Sequence, residues 1–266
     1  MATHTDKAFE RDLEGIKTGL AKMGEEVVLT LADAMTALLE RDGRKAKKTI
    51  DGDGRIDRQE LDLDERCRTT LALRQPAASD LRLITTALKS VTDLERCGDL
   101  AVNIAERAVD LAEAPPLTIP EELVRMGQLA QKQLREALEA FVKSDAARAE
   151  AVLAGDEMVD ALFVKLLNHL LSLMMEDSRT IRRATSLLFI AKHLERIGDH
   201  ATNVAEMVIF MVRGTDVRHE RRLAWWSRSR PAWRRPTSAP TAPAASPSWR
   251  PATPEAGRHG CQRGGA

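Results

Sequence analysis

The 266-residue chain carries 40 acidic and 40 basic side chains, a formal net charge of zero, and 43% of its residues are apolar, which indicates a globular protein with a substantial core. Its three cysteines are widely spaced and form no C-x-x-C pair, so neither a disulfide framework nor a thiolate zinc site is indicated. No signal-like start precedes Phe9, and the fully apolar segments fall far short of the roughly 18 residues that span a bilayer. We therefore expect a cytoplasmic protein, peripheral at the inner membrane only through its partners.

Helix is predicted for nearly all of the chain between Phe9 and Gly214. This stretch is rich in Leu, Ala, Glu, Arg and Lys, and its apolar residues recur at spacings of three and four. Gly, Pro and helix-capping residues divide it into six helices. In chain order these cover about residues 9–40, 44–75, 79–113, 121–143, 145–175 and 178–213.

The chain after residue 217 has a different composition. Residues 218–266 contain ten arginines against two acids, a net charge of +8, which leaves −8 for residues 1–217. Seven of the eleven prolines and all four tryptophans also lie there, so we predict a disordered segment. One interpretation is a basic arm that contacts lipid or nucleic acid. We favour the other, a non-native, frameshifted C-terminus without a function, and expect no nucleic-acid partner.

A thirteen-residue motif occurs twice, one hundred positions apart. LERCGDLAVNIAE at 94–106 recurs as LERIGDHATNVAE at 194–206, and DGRID at 53–57 is matched by DEMVD at 156–160. These repeats predict an all-α fold made of two tandem three-helix bundles, produced by an internal duplication. We assign the first three-helix bundle to residues 1–115 and the second to residues 116–217.

The repeated acids lie on a face of their helix that packs. At about 100° per residue, Asp99, Ile84 and Leu88 all fall within about 40° of Glu95. Carboxylates on a packing face are costly unless they are paired or bind a cation. Side chains at i and i+4 lie about 5–6 Å apart and point the same way, so each repeated pair presents two carboxylates together. The predicted metal ligands are Asp53, Asp57, Glu95 and Asp99 in the first bundle, and Asp156, Asp160, Glu195 and Asp199 in the second.

An all-oxygen ligand set suits Fe(III), Mn²⁺, Mg²⁺ or Ca²⁺, and zinc also accepts carboxylates. Excess negative charge would draw several ions into one cluster, so multinuclear iron or zinc centres are among the expected cofactors. The alternative is that the acids pair with nearby arginines. The candidates for such pairs are Arg74, Arg96, Arg179 and Arg196. Four acid pairs in repeated register favour the metal interpretation.

Several other site types do not fit the sequence. The stretch that begins at Asp51 starts like an EF-hand loop but has Ile56 where that loop needs glycine. The Glu-x-x-His pattern of ferritin-like di-iron bundles is missing, and His193 and His200 point away from the acids. We therefore predict a protein that is not an enzyme, with no catalytic residue. The alternatives are a carboxylate-bridged metalloenzyme, an oxidase or hydrolase, and a purely structural helical module.

Four segments together resemble the PhoU family of bacterial phosphate-signalling regulators. They are LRQPAASDLR at 73–82, DLERCGD at 93–99, the motif at 194–206, and GTDVRH at 214–219. The resemblance covers about residues 5 to 219, and the segments stand in the family's order. It ends at Glu220, where the chain continues with Arg-Arg-Leu-Ala-Trp-Trp instead of the short polar helix end typical of the family.

The resemblance implies two three-helix bundles whose acid pairs bind multinuclear metal centres, and it places metal roles on the same eight carboxylates. It also implies a negative regulator that connects the ATP-binding subunit of the phosphate ABC transporter to the sensor histidine kinase of the phosphate regulon. Such a protein keeps the phosphate-starvation genes off when phosphate is plentiful. A homodimer is expected as well.

Overall fold

A computed structural model describes residues 7–217 of the chain, so the prediction of a disordered basic segment at 218–266 falls outside the described residues. Seven α-helices and one 3-10 turn, at Ser178–Thr180, make up the described part. The helices are α1 (Lys7–Glu40), α2 (Gly43–Asp51), α3 (Gly54–Leu73), α4 (Ala78–Glu113), α5 (Glu121–Lys143), α6 (Ala146–Glu176) and α7 (Ile181–Arg213).

The predicted all-α fold is confirmed, and no strand occurs between residues 7 and 217. Six helices are long, as expected, but the single helix predicted at about 44–75 is wrong. It is interrupted at Gly52 and Asp53, where tight bonds from Asp53 N–H to the Ile50 carbonyl and from Ile56 N–H to the Asp53 carbonyl replace the regular pattern. Glycine is a poor helix former, so the regular bonding of α2 ends there and α3 begins after a short turn.

Helices α1, α3 and α4 pack together as one bundle, and α5, α6 and α7 as the other. The assigned boundary between residues 115 and 116 lies in the connection between α4 and α5. The two bundles share one continuous core, because α4 packs along α7 and α1 crosses α5. Cys67 and Cys97 are free and buried in this core.

Matching helix caps show how the two halves correspond. Asp42 accepts hydrogen bonds from the backbone N–H groups of Arg44 and Lys45 at the start of α2. Asp145 accepts one from Arg148 N–H at the start of α6. An aspartate at the N-cap satisfies backbone donors that a helix leaves unpaired. The two caps lie 103 positions apart, the same offset as Asp53 and Asp156, so α3 and the main part of α6 correspond residue by residue.

The same offset of 103 positions relates two glycines at which α1 crosses α5. Gly24 on α1 receives the buried side chain of Leu138, and Gly127 on α5 receives Met35, whose Cε would lie 2.7 Å from a Cβ at that position. Gly24 corresponds to Gly127, and Met35 corresponds to Leu138. The same glycine–side-chain contact is therefore made twice, once from each half. The missing Cβ atoms allow the two helices to approach closely.

At one end of the contact between α4 and α7, side chains of α4 donate hydrogen bonds to backbone carbonyls of α7. Arg82 Nε donates to the Met211 carbonyl at 3.1 Å, and Thr86 Oγ1 donates to the Met207 carbonyl at 3.3 Å. The corresponding Ser186 on α7 instead donates to the Arg182 carbonyl of its own helix. A cleft of about 640 Å³, lined partly by Arg182 and Ser186, lies at that other end.

Helix α6 differs from the other described helices in its outward surface. Among residues 7–217, it is the one helix that is long and apolar enough, by length and composition, to cross a membrane. The sequence shows no long uninterrupted apolar run there, because Asp160 and Lys165 interrupt the apolar residues of the helix. It packs against α5 and α7, yet 17% of its most apolar 18-residue stretch is buried in the protein.

Candidate functional site

The first group of predicted ligands lies between α3 and α4. Asp53 precedes α3, and Asp57 follows one turn later, while Glu95 and Asp99 lie one turn apart on α4. A Cβ at Gly98 would lie 3.0 Å from Cδ1 of Ile56. The glycine that the sequence places between Glu95 and Asp99 therefore permits close approach of the two helices at the level of the acids.

The acids of this first group act on each other. Burial raises the pKa of Asp53, and the charges of Asp57 and Asp99 raise it further. Burial, Asp99, Glu60 and Asp57 raise the pKa of Glu95, and Arg96 opposes the shift. These mutual effects mean that the four predicted carboxylates share one region of the α3–α4 surface.

A second group lies between α6 and α7. The pKa of Asp199 is raised to about 6. Burial is the largest cause, the charges of Glu195, Asp156 and Asp160 add to it, and the charge of Lys192 opposes the shift. Burial and the charge of Glu195 also raise the pKa of Asp160. All four predicted acids of the second half therefore contribute to one negative region, as they do in the first half.

The arginine pairing considered as an alternative occurs in part. The Arg96 guanidinium lies 3.5 Å from a Glu95 oxygen and 3.9 Å from an Asp99 oxygen. Arg74 pairs with Asp12, and Arg179 pairs with Asp177. The predicted ligands thus have both acidic and basic neighbours, and the net charge of the acidic group stays negative.

Sequence reasoning missed Lys192, which forms an ion pair with Glu195. Glu60 in the first group and Glu157 in the second were missed as well, although both raise the pKa of a predicted ligand. The signal was present in the spacing. Lys192 precedes Glu195 by three residues and Glu60 follows Asp57 by three, which places each pair on one helix face.

His193 and His200 flank the acids Glu195 and Asp199 in sequence. His200 Nδ1 lies 2.8 Å from an Asp93 oxygen, which also accepts a hydrogen bond from Asn203 at 3.2 Å. This contact joins α4 to α7. Burial, Arg196 and Arg107 lower the pKa of His193. Both histidines therefore belong to the contact between the two halves.

The donor set of both groups consists of carboxylate oxygens, which hard cations prefer. A bound cation would also offset the repulsion that raises the pKa of Asp199 and Glu95. Among residues 7–217, no three Asp, Glu, His or Cys side chains are already arranged to hold a metal ion. Metal binding by the eight carboxylates therefore stays a prediction, and it would require their side chains to rotate toward a common point.

Comparison with known proteins places the chain within a described family. The model of the PhoU domain matches residues 20–108 and 123–208, so each half of the chain is matched once. A phosphate-specific transport system accessory protein PhoU homolog from Caulobacter vibrioides is 41% identical over 222 residues, which are 83% of this chain and 96% of that protein. A Pseudomonas aeruginosa homolog is 43% identical over 219 residues, 81% of this chain and 90% of that protein.

Two solved structures share the fold. The crystal structure of PhoU from Pseudomonas aeruginosa matches with a TM-score of 0.76 and 43% identity, covering 78% of this chain and all of that one. The phosphate transport system regulatory protein PhoU from Streptococcus pneumoniae matches with a TM-score of 0.74 and 30% identity, covering 79% and 99%.

Proposed function

The chain belongs to the PhoU family, and we propose that it is a negative regulator of phosphate uptake and of phosphate-starvation signalling. A regulatory, accessory role in phosphate transport follows from the family itself. The observation that carries the proposal is the extent of the match, since both halves of the chain are covered together with at least nine tenths of the two relatives described above. Its role is regulatory rather than enzymatic.

The proposed mechanism is that of an adaptor in the cytoplasm. The two bundles have the same architecture, but the outer faces of their helices carry different side chains. Two such faces suit the simultaneous binding of two partners. We propose that these are the ATP-binding subunit of a phosphate ABC transporter and the sensor histidine kinase of the phosphate regulon. We also propose that the protein acts as a homodimer.

The proposal includes metal binding by the two acidic groups. Asp53, Asp57, Glu95 and Asp99 would hold cations between α3 and α4. The corresponding acids Asp156, Asp160, Glu195 and Asp199 would do so between α6 and α7. The cation supplies positive charge, and the carboxylates supply ligands from two helices each. Binding would therefore fix the spacing of each helix pair and the shape of the face it offers to a partner.

Deletion of the gene in its native host tests the regulatory role. Without the negative regulator, a phosphate-starvation reporter such as secreted alkaline phosphatase becomes constitutive in phosphate-replete medium. Expression of the full chain from a plasmid restores repression. If the reporter stays repressed in the deletion strain, and in strains that also lack any related gene, the proposed function is wrong.

Substitution of the acids tests the metal sites separately. We expect the double variant Asp99→Asn, Asp199→Asn to contain less metal after purification than the wild-type chain, because each group loses a central ligand. Elemental analysis measures the content, and Asp62→Asn, an exposed acid on the outer face of α3, is the matched control. Equal metal content in all three proteins would contradict the assignment. Oxygen consumption or phosphoester hydrolysis that scales with bound metal would favour the metalloenzyme instead.

A further inference from the structure

Gln133 on α5 is a polar side chain buried in the core of the second bundle. The residue is 4% exposed, and within residues 7–217 neither its Oε1 nor its Nε2 has a hydrogen-bond partner. Burying an amide costs free energy unless its donor and acceptor groups are satisfied. A buried amide that pairs with nothing in its own chain therefore indicates an ion or a water that the protein binds beside it.

The amide end of Gln133 lies between α6 and α7, at the level of the second acidic group. Its Oε1 would lie 3.2 Å from a Cβ at Gly198, the residue directly before Asp199. Its Nε2 would lie 3.7 Å from a Cβ at Gly155, the residue directly before Asp156. The two glycines lack the side chains that would separate the amide from the backbones of both helices. Gln133 thus reaches this group from α5, while the acids reach it from α6 and α7.

The first half of the chain provides an internal control. With the offset of 103 positions, Thr30 on α1 corresponds to Gln133. The hydroxyl of Thr30 is already satisfied, since its Oγ1 donates to the Glu26 carbonyl at 2.9 Å. The glycine of the first motif, Gly98, faces the apolar side chain of Ile56. The buried surroundings of the first acidic group are therefore apolar at the point where those of the second include an amide.

A shorter apolar residue in the second half leaves room for the amide. Val159 corresponds to Ile56 by the same offset, and its Cγ1 would lie 4.0 Å from a Cβ at Gly198. Cδ1 of Ile56 would lie 3.0 Å from a Cβ at Gly98, and in the second half the comparable place is taken by Oε1 of Gln133, at 3.2 Å. The two halves thus place different chemistry beside the same motif glycine.

We propose that Gln133 is a positioning residue of the second acidic group, and that its amide holds a water bound to the cation of that group. A carbonyl oxygen is a good acceptor for a water polarised by a cation, and groups next to a metal's ligands orient them and tune the affinity. This inference rests on the proposed metal binding and assigns to it a residue outside the repeated motifs. The second group should therefore bind a cation that retains water, such as Mn²⁺ or Mg²⁺, more tightly than the first.

The helix geometry favours a water over a direct bond from the amide. Adjacent residues of a helix point about 100° apart, so the amide at Gly198 approaches α7 from a different side than the Asp199 carboxylate. A water bridges polar groups that are too far apart to bond directly. The same arrangement keeps the carboxylates as the ligands and gives Gln133 a supporting role.

Titration with Mn²⁺ measures the second group by itself in a full chain that carries Asp53→Asn and Asp99→Asn. The electron paramagnetic resonance signal of the free ion gives the dissociation constant. In this background we expect Gln133→Met to raise the constant at least about tenfold, because loss of a group that supports a metal's ligands weakens binding roughly 10- to 100-fold. Methionine is similar in length and adapts to apolar surroundings, so the packing of α5 is preserved.

The matched control is Thr30→Val in a chain that carries Asp156→Asn and Asp199→Asn, so that the first group is measured. Its dissociation constant for Mn²⁺ should stay unchanged, because the Thr30 hydroxyl is satisfied within α1. In chelator, Gln133→Met should melt at or above the temperature of the wild-type chain, because it removes a buried amide that has no partner there. A lower melting temperature would mean that the amide is satisfied without a cation, which contradicts the proposal.

Gln133→Glu separates positioning from packing. A carboxylate keeps the acceptor oxygen, so the dissociation constant for Mn²⁺ should stay within about threefold of that of the parent chain or fall below it. A residue that served only to fill the core would give the reverse order, because methionine suits an apolar interior and an acid does not. Weak binding by Gln133→Met together with recovery in Gln133→Glu therefore supports the proposal.

Three results separate this inference from the proposals on which it rests. Mn²⁺ binding that Gln133→Met leaves unchanged, or that Gln133→Glu weakens most, overturns the role of Gln133 and leaves metal binding by the acids intact. A wild-type chain that binds no Mn²⁺ overturns both. If Gln133→Met weakens binding as expected but the wild-type chain fails to repress the reporter, the role of Gln133 stands and the regulatory function is wrong.

Discussion

The two acidic groups have the same four acids in corresponding places, yet their surroundings differ. In the first group Arg96 lies within 4 Å of both Glu95 and Asp99. In the second, Lys192 pairs with Glu195, and the combined effect of burial and three other acids raises the pKa of Asp199 to about 6. A repeated motif therefore specifies which side chains meet, whereas neighbours outside the motif decide how they ionise.

The outer faces of the two bundles differ in the same way. Corresponding positions carry Arg58 and Arg68 on α3, but Ala161 and Leu171 on α6. Duplication preserved the residues between the helices and left the outer faces free to change. Each difference between the halves can be tested by paired substitutions at corresponding positions.

The largest effect is expected at the crossing of α1 and α5. Gly24→Val should lower the free energy of unfolding by about 3 kcal/mol, because the new side chain overlaps buried, branched Leu138, whose Cγ would lie 2.9 Å from its Cβ. Gly127→Val should cost about 1–2 kcal/mol, since the opposing Met35 is unbranched and adapts more easily. Urea denaturation measures both, with Gly54→Ala, where the nearest side-chain atom is 3.8 Å away, as the control. Equal losses would mean that the two crossing positions are equivalent.

A smaller effect is expected at the contact of α4 with α7. Thr86→Val removes the hydrogen bond from a fully buried hydroxyl to the Met207 carbonyl and should cost about 1 kcal/mol. The corresponding substitution Ser186→Ala loses only a bond within α7 and should change stability by less than about 0.5 kcal/mol. Thermal melts of both variants measure the difference. A greater loss for Ser186→Ala would show that the cleft end of the contact is the tighter one.

The smallest effect concerns ionisation of Asp199. Its pKa in the folded chain, about 6, lies above the ordinary value of 3.8, so the stability it contributes is fully present below about pH 4 and is lost as the pH rises through 6. In chelator at pH 7.5, Asp199→Asn should therefore melt about 1–3 °C higher than the wild-type chain, a modest gain because the side chain is partly solvated. The gain should vanish near pH 4.

The Asp199 measurement also bears on metal binding. Added cation should raise the melting temperature of the wild-type chain and leave Asp199→Asn less affected, because the ionised carboxylate is the form that binds. Asp99→Asn in the same titration compares the first group. A melting temperature of Asp199→Asn at or below that of the wild-type chain at pH 7.5 would contradict the electrostatic account.

The sequence by itself determined the helices, the duplication and the eight acids that gather in two groups. Apolar residues at spacings of three and four predict helix directly, and acids at i and i+4 must share a face. The break at Gly52 was harder to predict, since one glycine costs a helix only about 1 kcal/mol and the tertiary contacts of α2 and α3 decide whether the chain turns there.

Only the tertiary structure decided which side chains lie next to each acidic group and which outer helix face is left uncovered. Lys192 pairs with Glu195, Glu157 raises the pKa of Asp160, and Lys165 turns toward Glu122 on α5. The exposed apolar face of α6 becomes evident only when the bundle shows which side of the helix is already buried. Periodicity states that residues share a face, but the direction of that face depends on packing between segments distant in sequence.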